Sequence, residues 1–292
     1  MHPHLPIRQF EPEGEHELWL PGRTLWVGAL CSVEEVVLRA TGQRAVLKHM
    51  HAEHLGDPGL AARCLNEALL LRLLGAPDPV LGVPRLFDLG ILPSGCPFLL
   101  MERLGSPLAD ELAAPGGRAS AGTAQVGAQL ATTLGSIHAR GVVHRDVRPD
   151  NILFAADPPR DASLPPAVYL IDFGLAKAAR TAELIPISTG DEDILGTDEY
   201  MAPEQWESAK RVTGAADVYA LGVVLYRMAS GRLPFCDTRR QVLMYQHLVN
   251  PPPTLPPSVP RRLARLILAM LAKPSGQRPS AAECADALRK MQ

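Results

Sequence analysis

The chain has 292 residues, 47% of them apolar, and a formal net charge of −2 at neutral pH. A chain of this length can form one large domain or two lobes around a substantial core, and its apolar content excludes a protein that is disordered throughout. The near-neutral charge argues against the basic surface with which proteins bind nucleic acid or anionic membranes.

In the first part of the chain, short Val- and Leu-rich runs separated by turn residues predict strands. These are Thr24–Leu30, Val33–Ala40, Arg44–His49, Arg85–Leu89 and Pro97–Met101. One helix is predicted to interrupt them over residues 59–75, with Leu65, Leu69 and Leu73 on a single apolar stripe and Gly75 as its stop.

From Ser106 onward, helical periodicity dominates the sequence. The predicted helices cover residues 120–140, 217–231, 239–248, 260–272 and 280–291. A strand-rich first part with one helix, followed by a helical second part, predicts an α+β fold made of a small lobe and a larger helical lobe. The boundary falls near residues 101–107, and a crevice between two lobes is a favoured place for a ligand.

The cysteines and the apolar runs indicate in which cellular compartment the protein is expected. Five cysteines are scattered without any CxxC pair, which indicates reduced thiols rather than a disulfide framework or a zinc site. The first residues lack the apolar segment of a signal peptide, and apolar runs such as residues 266–272 are too short to span a bilayer. We therefore expect a cytoplasmic protein without membrane insertion and without nucleic-acid partners.

Two acidic motifs follow each other in the second part. The stretch VVHRDVRPDNILF (residues 142–154) places an acid, Asp146, and an amide, Asn151, on a loop that leads into a short apolar strand. The stretch YLIDFGLA (residues 169–176) then places a second acid, Asp172, directly after another apolar strand. An acid that orients a hydroxyl, together with an amide and an acid that bind hard cations, is what magnesium-assisted phosphoryl transfer needs.

In these motifs the chain resembles the eukaryotic-type, or Hanks-type, serine/threonine protein kinases. The resemblance covers residues 22–290 and divides them into a small lobe (about 22–101), a hinge (102–106) and a large helical lobe (107–290), after an N-terminal extension of residues 1–21. It implies a bilobal fold and transfer of the γ-phosphate of ATP, bound with Mg²⁺, to hydroxyl groups of protein substrates.

Further stretches resemble the substrate-docking end of the activation segment, the central helix of the large lobe and its last helical motif. These are residues 196–205, 217–235 and 277–283. Small-molecule phosphotransferases with related lobes generally lack this set, and Thr197 favours serine or threonine over tyrosine as the acceptor. Glu204 and Arg278 are predicted to form a buried structural ion pair, and Asp217 is predicted to brace the catalytic loop.

The resemblance also implies roles for the residues of the two acidic motifs. Asp146 would orient the substrate hydroxyl or accept its proton, and Asn151 and Asp172 would hold magnesium. Arg148 stands where serine/threonine members usually have lysine. A guanidinium still neutralises charge on the transferring phosphoryl group, although its reach and geometry differ from those of an ammonium group.

On the nucleotide side, the resemblance implies that Lys48 contacts the phosphates and that Glu67, on the single helix of the small lobe, pairs with it. The hinge backbones of Glu102 and Leu104 would bond the adenine edge, and Leu153 would be the apolar floor under the ring.

The glycine-rich lid of the family, GxGxxGxV, is degraded in this chain. It matches either residues 26–33, where only Gly28 survives, or residues 29–36, where no glycine survives, and both registers stay open. Glycines there permit close backbone approach to phosphate oxygens. Because side chains alternate along a strand, only one of Glu34 and Glu35 would face the nucleotide, and we expect that one to repel the phosphates.

The last expectations concern phosphorylation of the chain itself and whether it transfers phosphate. We predict phosphorylation of Ser188 or Thr189 in the activation segment, with Arg145 as the pairing cation and a transient dimer for autophosphorylation. An active kinase is favoured because its reactive residues are all present, while the lid and Arg148 leave a non-transferring nucleotide-binding or scaffolding module as the alternative. The histidines of KHMHAEH (residues 48–54) are interpreted as a polar loop rather than a metal site.

Overall fold

A computed structural model of the chain describes residues 8–9, 19–114, 122–157, 166–178, 198–207 and 212–292. The chain divides into two compact units. The first holds the described residues up to Pro79 together with Pro84–Arg103, and the second holds Val80–Val83 and the described residues from Leu104 onward.

The first unit is built on a six-stranded sheet with the order β1-β5-β6-β4-β3-β2. Its strands are β1 (Arg8–Gln9), β2 (Trp19–Val27), β3 (Cys31–Leu38), β4 (Arg44–Met50), β5 (Leu86–Ile91) and β6 (Pro97–Glu102). β1 pairs with β5 in parallel, and the other neighbouring strands are antiparallel.

Cross-strand pairing fixes which side chains share a face of this sheet. Val33 pairs with Lys48, and Lys48 pairs with Leu99, so these three side chains lie on one face. The opposite face carries an apolar core, composed of Val36, Ala45, Leu47, Phe98 and Leu100 with Trp19 and Phe87 packed against it. The alternation of β-branched and leucine residues that predicted the strands therefore also separates a core face from the face of Lys48.

Helix α1 (Pro58–Gly75) lies on the Lys48 face of the sheet. It begins at Asp57, whose side chain accepts the amides of Gly59 and Leu60, and Pro58 occupies the first turn, where its missing donor costs nothing. The buried side runs through Glu67, Leu70, Leu71 and Leu74.

The predicted stripe of α1 was therefore wrong. Leu73 is 36% exposed, and neither Leu65 nor Leu69 belongs to the buried residues of the helix. The buried stripe has ordinary helical spacing, but one of its members is the charged Glu67, so a pattern built from leucines alone selects the neighbouring face.

The second unit is mainly helical. Its helices are α2 (Leu108–Ala113), α3 (Thr123–Ala139), α4 (Pro203–Glu207), α5 (Gly214–Ser230), α6 (Arg240–Leu248), α7 (Arg261–Met270) and α8 (Ala281–Arg289). Its strands are β7 (Leu104–Pro107), β8 (Val142–Val143), β9 (Ile152–Ala155), β10 (Val168–Leu170) and β11 (Lys177–Ala178). They form a three-stranded sheet, β10-β9-β7, and a two-stranded ribbon, β11-β8.

Helix α5 is the centre of the second unit. Nearly every side chain from Ala216 to Ala229 is buried, as expected for a helix that is apolar on all sides. It ends at Gly231, whose φ of 74° lies in the left-handed region that glycine adopts without a Cβ penalty. Helices α3, α7 and α8 pack around it or against one another, and α8 begins with a capping box between Ser280 and Glu283.

The predicted α+β architecture is confirmed: a sheet-rich unit with one long helix is followed by a helical unit. Each predicted strand of the first part and each predicted long helix has a counterpart within a few residues of its bounds. In the part of the chain that is described, no helix is both long enough and apolar enough to cross a membrane.

Candidate active site

In the first unit, the candidate group is an ion pair between β4 and α1. The Lys48 ammonium donates to both carboxylate oxygens of Glu67, at 2.7 and 3.0 Å. The Glu67 side chain is 4% exposed and that of Lys48 is 18% exposed, so the pair is largely shielded from solvent. The predicted partners are thus in contact, and the inward side of α1 supplies the carboxylate that positions the lysine.

In the second unit, the candidate group is the loop between β8 and β9, which Asp217 of α5 braces. Its buried carboxylate accepts the amides of His144 (2.9 Å) and Arg145 (2.7 Å) and the ring of His138 (2.7 Å). Arg145 has a φ of 72°, which non-glycine residues rarely adopt, so these bonds fix a turn that would otherwise be unfavourable. The predicted brace by Asp217 is confirmed.

The electrostatic state of Asp217 follows from the same contacts. Burial alone raises the pKa of this carboxyl, but the hydrogen bond and charge of His138, the charge of His144 and the Arg145 amide together lower it. Asp217 is therefore held as an anion, which suits an acceptor of three hydrogen bonds.

Within this loop, Asn151 is bonded to Asp146. The Asn151 side-chain amide donates to the Asp146 carboxylate (2.8 Å) and to the Asp146 carbonyl (2.9 Å). Burial raises the pKa of Asp146 above its usual range; the charge of His144 opposes this shift and the carboxylate of Asp172 adds to it. The acid and the amide that the sequence placed five positions apart are thus joined directly.

Asp172 lies beside this pair. The amide of Ile171 donates to the carbonyl of Asn151 at 2.9 Å, which places the residue after it at the loop. Asp172 has a φ of 65°, and its carboxylate accepts the amide of Gly174 at 3.3 Å. His144 donates to the carbonyl of Ile171 at 3.0 Å, so the two acidic motifs are tied together by main-chain and histidine bonds.

Arg148 is placed differently from the other loop residues. Its guanidinium makes two bonds to one carboxylate oxygen of Asp150, at 3.1 and 2.8 Å. To approach a phosphoryl group it has to exchange this partner, which is 57% exposed. The structure therefore brings Asp146, Asn151 and Asp172 together and holds Arg148 on a neighbouring carboxylate.

The predicted hinge residues occupy strand ends. Glu102 closes β6, where its amide donates to the carbonyl of Arg85 at 2.9 Å. Leu104 opens β7 and pairs with Ala155 of β9, and Leu153 of β9 pairs with Tyr169 of β10.

The predicted lid is the hairpin of β2 and β3, and its turn comprises residues 28–30. Residues 26–33 cover this turn and the adjoining ends of both strands, whereas residues 29–36 lie mostly inside β3, which pairs with β2 and β4. A Cβ on Gly28 would collide with the indole of Trp26, which is 53% exposed. Because the colliding atoms are the far end of an exposed side chain that can rotate away, this contact does not by itself require glycine at that position.

The two lid glutamates face opposite sides. Glu34 pairs with Leu47 and belongs to the core face, whereas Glu35 pairs with Val46 and shares the face of Lys48. The Glu35 carboxylate lies 3.1 Å from the guanidinium of Arg103, and Arg44 and Arg23 follow at 3.8 and 4.0 Å. The expected repulsion of phosphates by the inward glutamate is therefore revised, because three guanidinium groups surround that charge.

Two further contacts involve residues that follow the loop in the chain, and one of them reaches it. Arg278 makes a bidentate pair with Glu204 at 2.7 and 2.8 Å and also donates to three main-chain carbonyls, so the predicted buried ion pair is confirmed. Gln205, which follows Glu204, donates through its side-chain amide to the carbonyl of Arg145 at 3.0 Å. Sequence reasoning missed Gln205, although it is the last residue of the docking motif at residues 196–205. Thr197, Ser188 and Thr189 lie outside the described residues.

Comparison with known proteins agrees with this geometry. Residues 21–288 match the family described as protein kinase domain. The chain therefore belongs to the protein kinase family, and it has the bilobal fold class of that family.

Three of its relatives are serine/threonine-protein kinases. Pkn1 of Myxococcus xanthus is 38% identical over 236 residues, which are 80% of this chain and 32% of Pkn1. The DNA damage-responsive kinase RqkA of Deinococcus radiodurans is 39% identical over 251 residues, or 82% of this chain and 34% of RqkA. PknA of Mycobacterium tuberculosis is 32% identical over 272 residues, or 91% of this chain and 59% of PknA.

By fold and by relationship the chain is a protein kinase domain of the serine/threonine class, a family that uses ATP. It spans about a third of the length of Pkn1 and of RqkA and 59% of PknA.

Proposed function

We propose that this chain is an active serine/threonine protein kinase, which transfers the γ-phosphoryl group of ATP to hydroxyl groups of protein substrates. The observation that carries the proposal is the contact between Asn151 and Asp146, with Asp172 beside them, on a loop braced from α5. A scaffold without chemistry has no need of a partly buried carboxylate at this point, because an unused charge removed from water destabilises the fold.

Asp146 is the residue that meets the substrate hydroxyl. Its position is fixed by Asn151, which bonds one carboxylate oxygen, and by His144, whose ring accepts the Asp146 amide at 3.3 Å. The remaining oxygen orients the hydroxyl and accepts its proton as the bond to phosphorus forms.

The donor set fits magnesium. The Asn151 amide nitrogen is directed to Asp146, so its amide oxygen is directed away from that carboxylate, and Asp172 adds a carboxylate. Amide and carboxylate oxygens are the ligands that this hard cation takes in proteins. Magnesium, when bound, neutralises charge on the phosphates. Asn151 and Asp172 would hold it.

On the nucleotide, Lys48 is the residue that contacts the phosphates, and Glu67 fixes its ammonium for that contact. Glu102 and Leu104 would bond the adenine edge through their main chains, and Leu153 would pack under the ring. Gly28, as the one glycine kept in the lid, would give the main chain its closest approach to phosphate.

Arg148 has a conditional part in this mechanism. Once the guanidinium leaves Asp150, it stabilises charge on the transferring group. Because Asp150 is exposed, breaking this ion pair costs little free energy. We therefore assign it a supporting role that follows substrate binding.

The second candidate is a nucleotide-binding module that does not transfer phosphate, and the glycine-poor lid favours it. The two functions separate in one experiment. The purified chain is incubated with magnesium and labelled ATP, with a serine- and threonine-rich acceptor protein, while nucleotide binding is measured by calorimetry. Transfer with turnover supports the kinase; binding without transfer, in several preparations, refutes it in favour of the module.

We further propose that the chain phosphorylates itself at Ser188 or Thr189 during a transient encounter of two copies in the cytoplasm. Arg145 supplies the cation for the new phosphate. A Ser188→Ala/Thr189→Ala variant should lose the phosphate mapped to the activation segment by mass spectrometry and should be less active. Full activity of this variant, with no phosphate mapped to the segment of the wild type, would discard the idea.

A further inference from the structure

The segment between β4 and α1 brings together three side chains that bind transition metals in other proteins. His51, Glu53 and His54 each offer one ligand atom, and these atoms all lie within 4.8 Å of one another. His49, which the sequence groups with the other histidines, is turned away: its ring contacts the carbonyl of Met50 and the carboxylate of Glu34.

The short 3₁₀ turn over Ala52–His54 explains why Glu53, rather than His49, lies beside the other two side chains. In this turn Glu53 comes beside His54, and its carboxylate oxygen lies 3.5 Å from Nε2 of that ring. Two ligands on a tetrahedral zinc ion, with bonds of about 2.0–2.1 Å, are roughly 3.3 Å apart. The two groups are thus near the spacing that one metal ion imposes.

A hydrogen bond on the far side of a ring orients a histidine for a metal. Here the buried hydroxyl of Ser32 lies 2.8 Å from Nε2 of His51. The ring is thereby fixed by β3, while Glu53 is 74% exposed and can move the short distance needed to close the site.

We propose that His51, Glu53 and His54 form a binding site for a divalent transition-metal ion of the zinc class. Two imidazoles and one carboxylate suit zinc and its neighbours in the first transition row, and a coordination position remains open to water. The site is separate from the magnesium ligands, which lie in the other unit and are all oxygen donors.

The site is coupled to the tip of the lid hairpin. Nε2 of His54 donates to the carbonyl of Ala29 at 3.0 Å, and the amide of His51 donates to the carbonyl of Leu30 at 3.0 Å. A metal on Nε2 of His54 requires the ring proton to lie on Nδ1 instead, so the bond to Ala29 is lost without net release of a proton. Metal binding therefore loosens the lid tip, while the main-chain bond from His51 remains.

The binding test is a titration of zinc, and of cobalt as a coloured substitute, into the full chain with its thiols kept reduced. We expect one equivalent to bind, with at least tenfold weaker binding in His54→Ala and in Glu53→Gln. His49→Ala is the matched control, since it removes a neighbouring histidine and should leave the affinity within about twofold of wild type. Equal affinities in wild type, His54→Ala and Glu53→Gln, or no binding at one equivalent, would overturn the proposal.

The lid effect is read separately, by hydrogen exchange of the peptide that contains residues 26–33. Zinc should increase the exchange rate of its amides in the wild type and should leave that rate unchanged in His54→Ala. Unchanged exchange in zinc-bound wild type would refute the loss of the Ala29 contact. Neither measurement depends on phosphate transfer, so a chain that binds zinc without any kinase activity would contradict the proposed function and leave the metal site standing.

Discussion

His247 gives the sharpest prediction about stability. It lies on α6 with no exposed surface, and its Nδ1 is 3.0 Å from the hydroxyl of Tyr219. The rings of Phe235 and Trp206 contact it, and the Lys273 ammonium bonds its carbonyl. Burial, together with the smaller contribution of the Lys273 charge, lowers the pKa of His247 from 6.5 to about 3.

The consequence is a loss of stability in acid. Between the two pKa values the unfolded chain protonates this histidine and the folded chain does not, so the unfolded state binds more protons and stability falls as the pH falls. At about 1.4 kcal/mol per pKa unit the full effect approaches 5 kcal/mol, of which about 2 kcal/mol is lost between roughly pH 7.5 and pH 5.

The assay is urea unfolding across this pH range for the wild type and for His247→Phe. Phenylalanine keeps the ring packing but cannot be protonated, so the variant should lose about 2 kcal/mol less than the wild type between the two pH values. Other titrating groups act on both proteins and cancel in the difference. Parallel pH profiles would refute the reasoning, because they would show that His247 is not held neutral by the fold.

Two further substitutions test the ion pairs. Glu204→Gln should destabilise the chain by about 3 kcal/mol in urea unfolding, because it leaves the guanidinium of Arg278 buried with a weaker partner, while Asp286→Asn on the exposed surface should change little. Glu67→Gln should reduce kcat/KM for ATP roughly ten- to a hundredfold without loss of fold, since Lys48 loses its charged partner; an unchanged kcat/KM would remove this pair from the mechanism.

The long elements and the two acidic motifs could be predicted from the sequence because they rest on local patterns. Periodicity defined the strands of the first unit and the extent of α1. The buried face of α1 could not be predicted in this way, because it is decided by what lies opposite, and Lys48 draws the charged Glu67 inward. Short elements such as α2 and α4 contain too few residues to display a period.

Contacts that join distant or turning segments were the least predictable. The surroundings of Glu35 depend on Arg103, which comes from a strand end far along the chain. The grouping of Glu53 with His51 and His54 depends on a single 3₁₀ turn, so it could not be predicted from the histidine spacing, which was interpreted as a polar loop. The pairing of Arg148 with Asp150 is local, but a sequence motif does not show that these two side chains bind each other.

The most direct test of the proposed kinase activity is to measure phosphate transfer by Asp146→Asn. Calorimetry should show that the variant binds Mg-ATP as the wild type does, while transfer to the acceptor protein falls about 10²–10⁴-fold, because the hydroxyl loses the carboxylate that orients it and takes its proton. Asp157→Asn, which changes an exposed carboxylate of the same unit, should transfer at the wild-type rate. Transfer by Asp146→Asn at the wild-type rate would contradict the proposed mechanism.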